Sequence, residues 1–205
     1  MGITAERLKA SLDALAAIEP AFARARAEIG DPPPRIRARG FETLLRAIVG
    51  QQVSVKAANA IWDKVEVATG GAGDPAKVAA ASDEALRAAG LSRQKIAYAK
   101  SLAEEVLSGR LDFAHLPADD EEAIAALTRA HGIGRWTAEV YLLFAEGRGD
   151  VFPAGDLAVR QEIGRLLGHE TPPSEKQVRA LAEAWRPHRG AAAIFAWHHR
   201  HMIAL

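Results

Sequence analysis

Apolar residues recur along most of the chain with the spacing of buried helix faces. Between positions 41 and 49 they fall at i, i+3, i+4, i+7 and i+8, on one side of a helix: Phe41, Leu44, Leu45, Ile48 and Val49. Segments 96–107 and 178–185 repeat this spacing. No segment alternates apolar and polar residues as a half-buried strand does. The pattern therefore predicts an all-α fold of about ten short helices.

Capping residues and helix breakers indicate where these helices begin and end. Ser174 and Gln177 have the spacing of a capping box, and Ser82 and Asp120 are suitable N-caps. Proline and glycine clusters interrupt the helical pattern at positions 32–34, 70–73, 147–149 and 172–173. We expect short turns at these breaks.

Composition excludes several classes of protein. The 205 residues suffice for one large domain or two small ones that share a cleft. No apolar run approaches the roughly 18 residues that span a bilayer, and the first residues lack the apolar core of a signal peptide. We therefore expect a cytoplasmic protein of bacterial type. The chain has no cysteine, which excludes disulfides, iron–sulfur clusters, thiolate zinc sites and a cysteine nucleophile.

The charges balance, with 26 basic and 26 acidic residues. A nucleic-acid-binding domain is usually basic, but the charges of this chain are unevenly distributed. Residues 176–205 contain five Lys or Arg against Glu183 alone, and residues 104–122 contain seven acids against Arg110 alone. A neutral chain with this distribution can still present one basic face to phosphate.

The segment from Leu127 to Ala138 has the pattern of a helical hairpin. A helix is expected to end near Ala130, followed by a tight turn at 132–134 and a second helix from about Arg135. Two glycines permit positive φ and a close approach to another surface. The unpaired N–H groups at the start of the second helix suit a phosphate, and Ile133 would hold the turn to the core. A plain glycine-capped hairpin is the alternative.

Four segments together resemble the helix-hairpin-helix (HhH-GPD) DNA glycosylase superfamily. Residues 131–138 are similar to its hairpin, and 150–160 match its Gly/Pro-rich loop and catalytic Asp. Residues 45–54 resemble its Gln-containing turn, and Pro187-His188-Arg189 with Trp197 matches the C-terminal helix of the alkylation-repair branch. The likeness extends from about Phe41 to Trp197. The branch it most resembles is DNA-3-methyladenine glycosylase II, in a compact form without an extra N-terminal domain.

This resemblance implies a fold, a partner and a reaction. The whole chain, 1–205, would be one module whose helical subdomains, roughly 36–148 and 1–35 plus 149–205, flank an active-site cleft. A monomer would bind duplex DNA that contains alkylated bases, flip the damaged nucleotide out and hydrolyse its glycosidic bond. No cofactor or catalytic metal is implied, although the family's hairpin can hold a monovalent cation through backbone carbonyls.

The resemblance also assigns residues. Asp156 would be the catalytic carboxylate, stabilising positive charge on the sugar and directing water; a plain N-cap of the helix that follows is the alternative, and both roles are compatible. Trp136 and Trp197 would stack on the cationic base, with Gln51 and Tyr141 as further base contacts, whereas Trp62 and Trp185 are expected in the core. The expected DNA contacts are Gln52, Gly132, Ile133, Gly134, Arg135, Thr137 and Arg160. Arg160 could instead pair with Asp156.

Four features distinguish the chain within this family. His131 stands where the hairpin usually has Pro, and Gln52 stands where some relatives place an apolar wedge. Trp136 occupies the position of the Schiff-base Lys of strand-cleaving relatives, which predicts hydrolysis without strand cleavage. The histidines of segment 197–202 have no carboxylate or Cys beside them in sequence, so we expect a solvated or phosphate-facing helix end there instead of a metal site.

Three other functions remain open at this point. A non-catalytic helix-hairpin-helix module would explain the hairpin but not Asp156. A bifunctional glycosylase/lyase for other damaged bases would need an amine that Trp136 does not supply. A helical scaffold that binds no DNA is the third. The sequence also leaves the lesion open among 3-methyladenine, 7-methylguanine, ethenoadenine and hypoxanthine.

Overall fold

The computed structural model describes residues 2–203, and all regular secondary structure in this part of the chain is helical. Its α-helices are α1 (Ala5–Ile18), α2 (Pro20–Ile29), α3 (Phe41–Gly50), α4 (Val55–Thr69), α5 (Pro75–Ala80), α6 (Asp83–Ala88), α7 (Arg93–Leu107), α8 (Asp120–Thr128), α9 (Arg135–Tyr141), α10 (Leu157–Leu166), α11 (Glu175–Ala182) and α12 (Arg189–Ile203). A π-helical turn, Leu142–Glu146, follows α9, and a 3₁₀ turn, Glu183–Trp185, follows α11. The predicted all-α class is confirmed.

Local sequence signals account for many helix starts. Ser82 caps α6 by accepting a hydrogen bond from the Ala85 N–H. At α11, Ser174 and Gln177 form the predicted capping box. The assignment of Asp120 as a cap was wrong by one position, because Asp119 caps α8 and Asp120 is its first residue. No helix within residues 2–203 is long and apolar enough to cross a membrane.

The chain divides into two compact units. The terminal unit contains the chain up to Arg37 and from Leu142 onward, and the central unit is Ala38–Tyr141. In the terminal unit, α1, α2, α10 and α12 pack around Phe22, whose ring lies 5.3 Å from that of Trp185 and 5.8 Å from that of Phe195. Trp185 is therefore a core residue, as expected.

In the central unit, α3 packs against α4, α7 and α9. Every apolar residue of the predicted stripe on α3 is buried. Trp62 is buried too, with the Arg46 guanidinium 3.9 Å from its ring centroid. On α7, the predicted stripe fails at its end: Leu107, the last residue before the C-cap Ser108, is exposed.

Candidate DNA-binding hairpin and catalytic carboxylate

The hairpin of the central unit forms where the sequence predicts it. α8 ends at Thr128 and α9 begins at Arg135. Ile133 is buried at 3% exposure, and its N–H donates a 3.1 Å hydrogen bond to the Ala130 carbonyl. The apolar side chain therefore holds the turn to the core, as expected. Because the side chain is buried and the N–H is already hydrogen-bonded, neither group is available to DNA. The DNA contact expected of Ile133 is therefore left to the neighbouring residues.

The two hairpin glycines have different roles. Gly132 has a φ of +87°, and a Cβ at this position would overlap the Tyr98 ring. Gly134 has no positive φ and nothing within 4 Å of the place a Cβ would take. Of the two hairpin glycines, only Gly132 uses the positive φ that the sequence permits, and only Gly132 is required by the turn itself.

Residues of α7 and of the turn after α3 hold the hairpin in place. The His131 N–H donates a 3.0 Å hydrogen bond to Ser101 Oγ, and Gln51 Nε2 donates a 2.9 Å bond to the Gly132 carbonyl. The Tyr98 side chain packs directly against Gly132. A proline at position 131 has no N–H to donate, so the His131–Ser101 bond is available only because this chain departs from the family pattern.

The backbone at the start of α9 retains hydrogen-bond donors. Within residues 2–203, the N–H groups of Gly134, Arg135 and Thr137 have no protein acceptor. Donors that point out of a helix start suit a phosphate. The geometry therefore supports the hairpin as a backbone-mediated anion site.

The Arg135 side chain is bound within the protein. It donates to both carboxylate oxygens of Glu121, at 2.8 and 2.5 Å, and to Glu139, at 2.9 Å, which is almost fully buried. The hydrogen bonds to Glu121, followed by the Glu139 charge, raise the pKa of Arg135 above its ordinary value. Arg135 was expected to contact DNA. Its guanidinium instead stabilises the hairpin, and only its backbone N–H remains for phosphate.

The turn after α3 carries two glutamines with different conformations. Gln51 was expected to contact the flipped base, but its amide is engaged by the Gly132 carbonyl. Gln52 is exposed and has a φ of +55°, a left-handed conformation that is uncommon outside glycine. Val53 beside it is also partly exposed. Gln52 therefore lies at the tip of the turn, where the sequence predicts a DNA contact.

The aromatic residues proposed to meet the base differ in exposure. Trp136, in the first turn of α9, is 49% exposed. Tyr141 is 2% exposed, its hydroxyl accepts a 2.8 Å hydrogen bond from the Gly40 N–H, and its ring packs 5.7 Å from that of Phe113. The expectation that Tyr141 contacts the base is wrong in this structure, since the residue is part of the core of the central unit.

Asp156 lies in the terminal unit at the start of α10. Its Oδ1 accepts a 3.0 Å hydrogen bond from the Val159 N–H, so the residue is the N-cap of this helix. Its own N–H donates to the Pro153 carbonyl at 3.0 Å. The carboxylate is only partly buried, and capping fixes its orientation. This anchoring is compatible with a catalytic role.

Arg160 follows Asp156 by one helical turn. Within residues 2–203 its Nε is buried without an acceptor. Pairing with Asp156 and contact with a DNA phosphate both stay predictions.

Trp197, on α12, packs on Phe144 with ring centroids 5.6 Å apart. The two rings line a cavity of about 250 Å³ together with Pro33, Arg35 and Ile194. All of these residues belong to the terminal unit. An aromatic wall of this kind can hold a planar ring.

The histidine-rich end of α12 differs from the expectation of a solvated helix end. His199 is buried and its Nδ1 lies 2.9 Å from Glu162 Oε2, which is fully buried. Sequence reasoning missed this pair because Glu162 is 37 positions away. Within residues 2–203 no cluster of three His, Asp or Glu residues could hold a metal ion.

The basic C-terminal stretch is largely neutralised by acids from other segments. Arg179 pairs with Glu175, and Arg189 pairs with Asp150, each at 2.9 Å. Arg200 lies 3.8 Å from Glu162. The charge asymmetry of the sequence therefore overstates the basic face, because the acids that compensate it precede residue 176.

The arrangement of hairpin, Pro/Gly loop and capping Asp has counterparts in known proteins. The model of the HhH-GPD superfamily of base excision DNA repair proteins matches residues 45–187. The chain belongs to this superfamily. DNA-3-methyladenine glycosylase 1 of Schizosaccharomyces pombe is 37% identical over 163 residues, which cover 77% of this chain and 71% of that protein. The resemblance inferred from sequence motifs is confirmed.

Two solved structures share the fold over nearly the whole chain. A DNA-3-methyladenine glycosidase from Bacillus halodurans superposes with a TM-score of 0.87 at 35% identity, covering 95% of this chain and 90% of that one. The S. pombe 3-methyladenine DNA glycosylase in complex with abasic DNA gives a TM-score of 0.79 at 32% identity, covering 95% and 97%. The HhH-GPD glycosylase fold predicted from the sequence is therefore confirmed.

Proposed function

We propose that this chain is a monofunctional DNA glycosylase that hydrolyses the N-glycosidic bond of alkylated purines in duplex DNA. The observation that carries the proposal is Asp156, held as the N-cap of α10 at the end of the Pro/Gly loop in a chain of this superfamily. Its relatives are named 3-methyladenine glycosylases, and the S. pombe structure holds abasic DNA, the product of such a reaction. Duplex DNA is accordingly its partner.

The chemistry asks little of the protein beyond positioning and charge. A purine alkylated at N3 or N7 is positively charged and leaves without a strong general acid. Positive charge then develops on the deoxyribose, where an anionic carboxylate stabilises it and orients the attacking water. Asp156 supplies this group. The backbone donors of Gly134, Arg135 and Thr137 bind phosphate without reading sequence.

Aromatic stacking selects for a cationic base. The face of an indole attracts a cation by about 1–2 kcal/mol when both are desolvated. Trp136 offers an exposed ring, and Trp197 lines the cavity described above. Both remain candidates for the base contact, whereas the buried Tyr141 does not, and the Gln51 amide donates to the Gly132 carbonyl.

The hairpin is compatible with the monovalent cation that the family implies. The Gly132 carbonyl is used by Gln51, but within residues 2–203 the carbonyls of His131 and Ile133 accept no hydrogen bond. These oxygens would be the ligands of such a cation, which would supply positive charge at the turn. The hydrolytic step itself needs only groups of the protein and water.

The test is release of bases from methylated duplex DNA, followed by chromatography of the products. We expect 3-methyladenine and 7-methylguanine in the supernatant and an intact abasic strand. Duplex binding without base release would support the non-catalytic module, and absence of duplex binding at low salt would support a scaffold outside DNA metabolism. Either result overturns the proposal.

A further inference from the structure

The Pro187-His188-Arg189 motif has a structural role that the family resemblance alone does not reveal. Arg189 is the first residue of α12, and its side chain is 11% exposed. Its Nε and Nη2 donate to the two carboxylate oxygens of Asp150, both at 2.9 Å. This is a bidentate, largely buried pair, the arrangement in which Arg and carboxylate fix each other's orientation most strongly.

A second acid extends this pair. Glu183, in the 3₁₀ turn before α12, accepts a 2.7 Å hydrogen bond from Arg189 Nη1 and a 3.0 Å bond from Arg186 Nε. Arg186 Nη1 lies 3.6 Å from Asp150, so two cations and two anions form a closed ring. Each charge has two opposite neighbours, and the Arg189 guanidinium cannot rotate without breaking several of these contacts.

The backbone beside the Arg189–Asp150 pair is also closely packed. The Gly190 N–H donates a 2.8 Å hydrogen bond to the Gly149 carbonyl. A Cβ on Gly190 would come within 2.6 Å of that carbonyl and of Leu143. The start of α12 therefore contacts segment 149–150 directly, and no larger residue fits at position 190.

Segment 149–150 is where the loop that carries Asp156 begins. Val151, Phe152, Pro153 and Ala154 are buried, and the Phe152 ring lies 6.2 Å from that of Trp185. The Asp156 N–H closes the loop on the Pro153 carbonyl. Because four consecutive loop residues, 151–154, are buried, the loop has little slack, so a shift at Asp150 is passed on to the carboxylate.

We propose that Arg189 is a positioning residue for Asp156, acting through Asp150. It touches neither base nor sugar. It fixes the origin of the catalytic loop, so that the carboxylate meets the sugar at the correct distance. This inference rests on the glycosylase function proposed above.

The test compares single-turnover base release by wild type, Arg189→Gln, Arg189→Lys, Asp150→Asn and the double variant. All rates are measured at saturating protein and at a temperature at which circular dichroism shows every variant folded. We expect Arg189→Gln and Asp150→Asn each to lose about tenfold or more in rate, since misplacement by about 1 Å can cost two orders of magnitude. The double variant should be no slower than the slower single one, because both changes break the same pair. Arg189→Lys should be intermediate.

The chain offers a matched control in the same unit. Arg26 on α2 is 14% exposed, makes bidentate contacts with Asp31 at 2.7 and 3.0 Å, and also binds Asp13 at 2.9 Å. Arg26→Gln therefore removes an equivalent network far from the loop in sequence. We expect it to lower the melting temperature as Arg189→Gln does and to leave the single-turnover rate within about twofold, as expected for a surface network without a role in the reaction. Affinity for abasic-site duplex should also stay within about twofold in every variant, because the phosphate contacts are unchanged.

The outcomes separate the two proposals. If wild type releases no base, the glycosylase function fails and this inference with it. If wild type is active and Arg189→Gln is as fast, or slows only as Arg26→Gln does, Arg189 is structural and the positioning role is overturned. Additive losses in the double variant would overturn the pathway through Asp150.

Discussion

Gln51 donates its side-chain amide to the carbonyl of Gly132 over 2.9 Å, and thereby ties the turn after α3 to the hairpin. Two loops proposed to meet DNA are thus connected by one hydrogen bond, although 81 positions separate them in sequence. We therefore expect Gln51 to act on DNA binding through the hairpin backbone.

Removal of this bond should weaken DNA binding without changing the preference for damage. For Gln51→Ala we expect about a fivefold loss of affinity, the equivalent of one net hydrogen bond of about 1 kcal/mol. The loss should be equal for damaged and undamaged duplexes, since phosphate contacts carry no base information. Fluorescence anisotropy with both duplexes measures it. A loss of affinity confined to the damaged duplex would instead support the prediction from the sequence that Gln51 contacts the base.

Replacement of Asp156 should separate charge from capping. Asp156→Asn keeps an oxygen for the Val159 N–H but removes the negative charge, so we expect excision to fall at least about a hundredfold. Duplex binding and melting temperature should be retained. Asp156→Ala should in addition lose about 1 kcal/mol of stability, because the cap of α10 disappears. Excision of 3-methyladenine by Asp156→Asn at nearly the wild-type rate would exclude the carboxylate as the catalytic group.

The two hairpin glycines should respond in opposite ways. Gly132→Ala places a Cβ into the Tyr98 ring at positive φ, and we expect a loss of stability of about 2 kcal/mol or more. Gly134→Val meets no neighbour and should leave the melting temperature unchanged, while its side chain obstructs the donors at the start of α9. Thermal melts and binding to undamaged duplex distinguish the two effects. If Gly134→Val binds DNA with the wild-type affinity, the hypothesis that the start of α9 binds a DNA phosphate is excluded.

Hydrolysis should proceed without a covalent intermediate. Trp136 cannot form an imine, so borohydride added during the reaction should trap no protein–DNA adduct, and strands should stay whole until alkali treatment. Lys95 is the amine to watch, because burial lowers its pKa, although its Nζ donates to the Val49 carbonyl at 2.8 Å. A borohydride-trapped adduct that forms with the wild type and not with Lys95→Gln would show that Lys95 is the nucleophile of a lyase. Chelator should leave base release unchanged, and its loss would indicate a divalent metal.

Local patterns predicted what depends on near neighbours. The stripe on α3 and the Ser174–Gln177 capping box could both be found in advance, since helix periodicity and capping act over a few residues. The prediction that Asp156 is the catalytic carboxylate came from the family motif, and the cap that it forms is equally local, with Val159 three positions away.

Roles that depend on distant partners could not be found this way. Tyr141 resembles a base contact until its hydroxyl is seen to bind Gly40, 101 positions away. Arg135 looks like a phosphate ligand until Glu121 is brought beside it by the hairpin itself. The departure at position 131 was visible in the sequence, but its partner was not. The His131 N–H donates to Ser101, 30 positions away.

That substitution changes what stabilises the hairpin. A proline ring restricts the backbone at all times, in the unfolded chain as well as the folded one. The bond from His131 to Ser101 exists only once α7 has folded, and its acceptor lies 30 positions earlier in the chain. The motif here is therefore not an autonomous cassette. Grafted onto another scaffold without α7, the segment 127–138 would lose its shape, whereas a proline-containing hairpin would carry part of that shape with it.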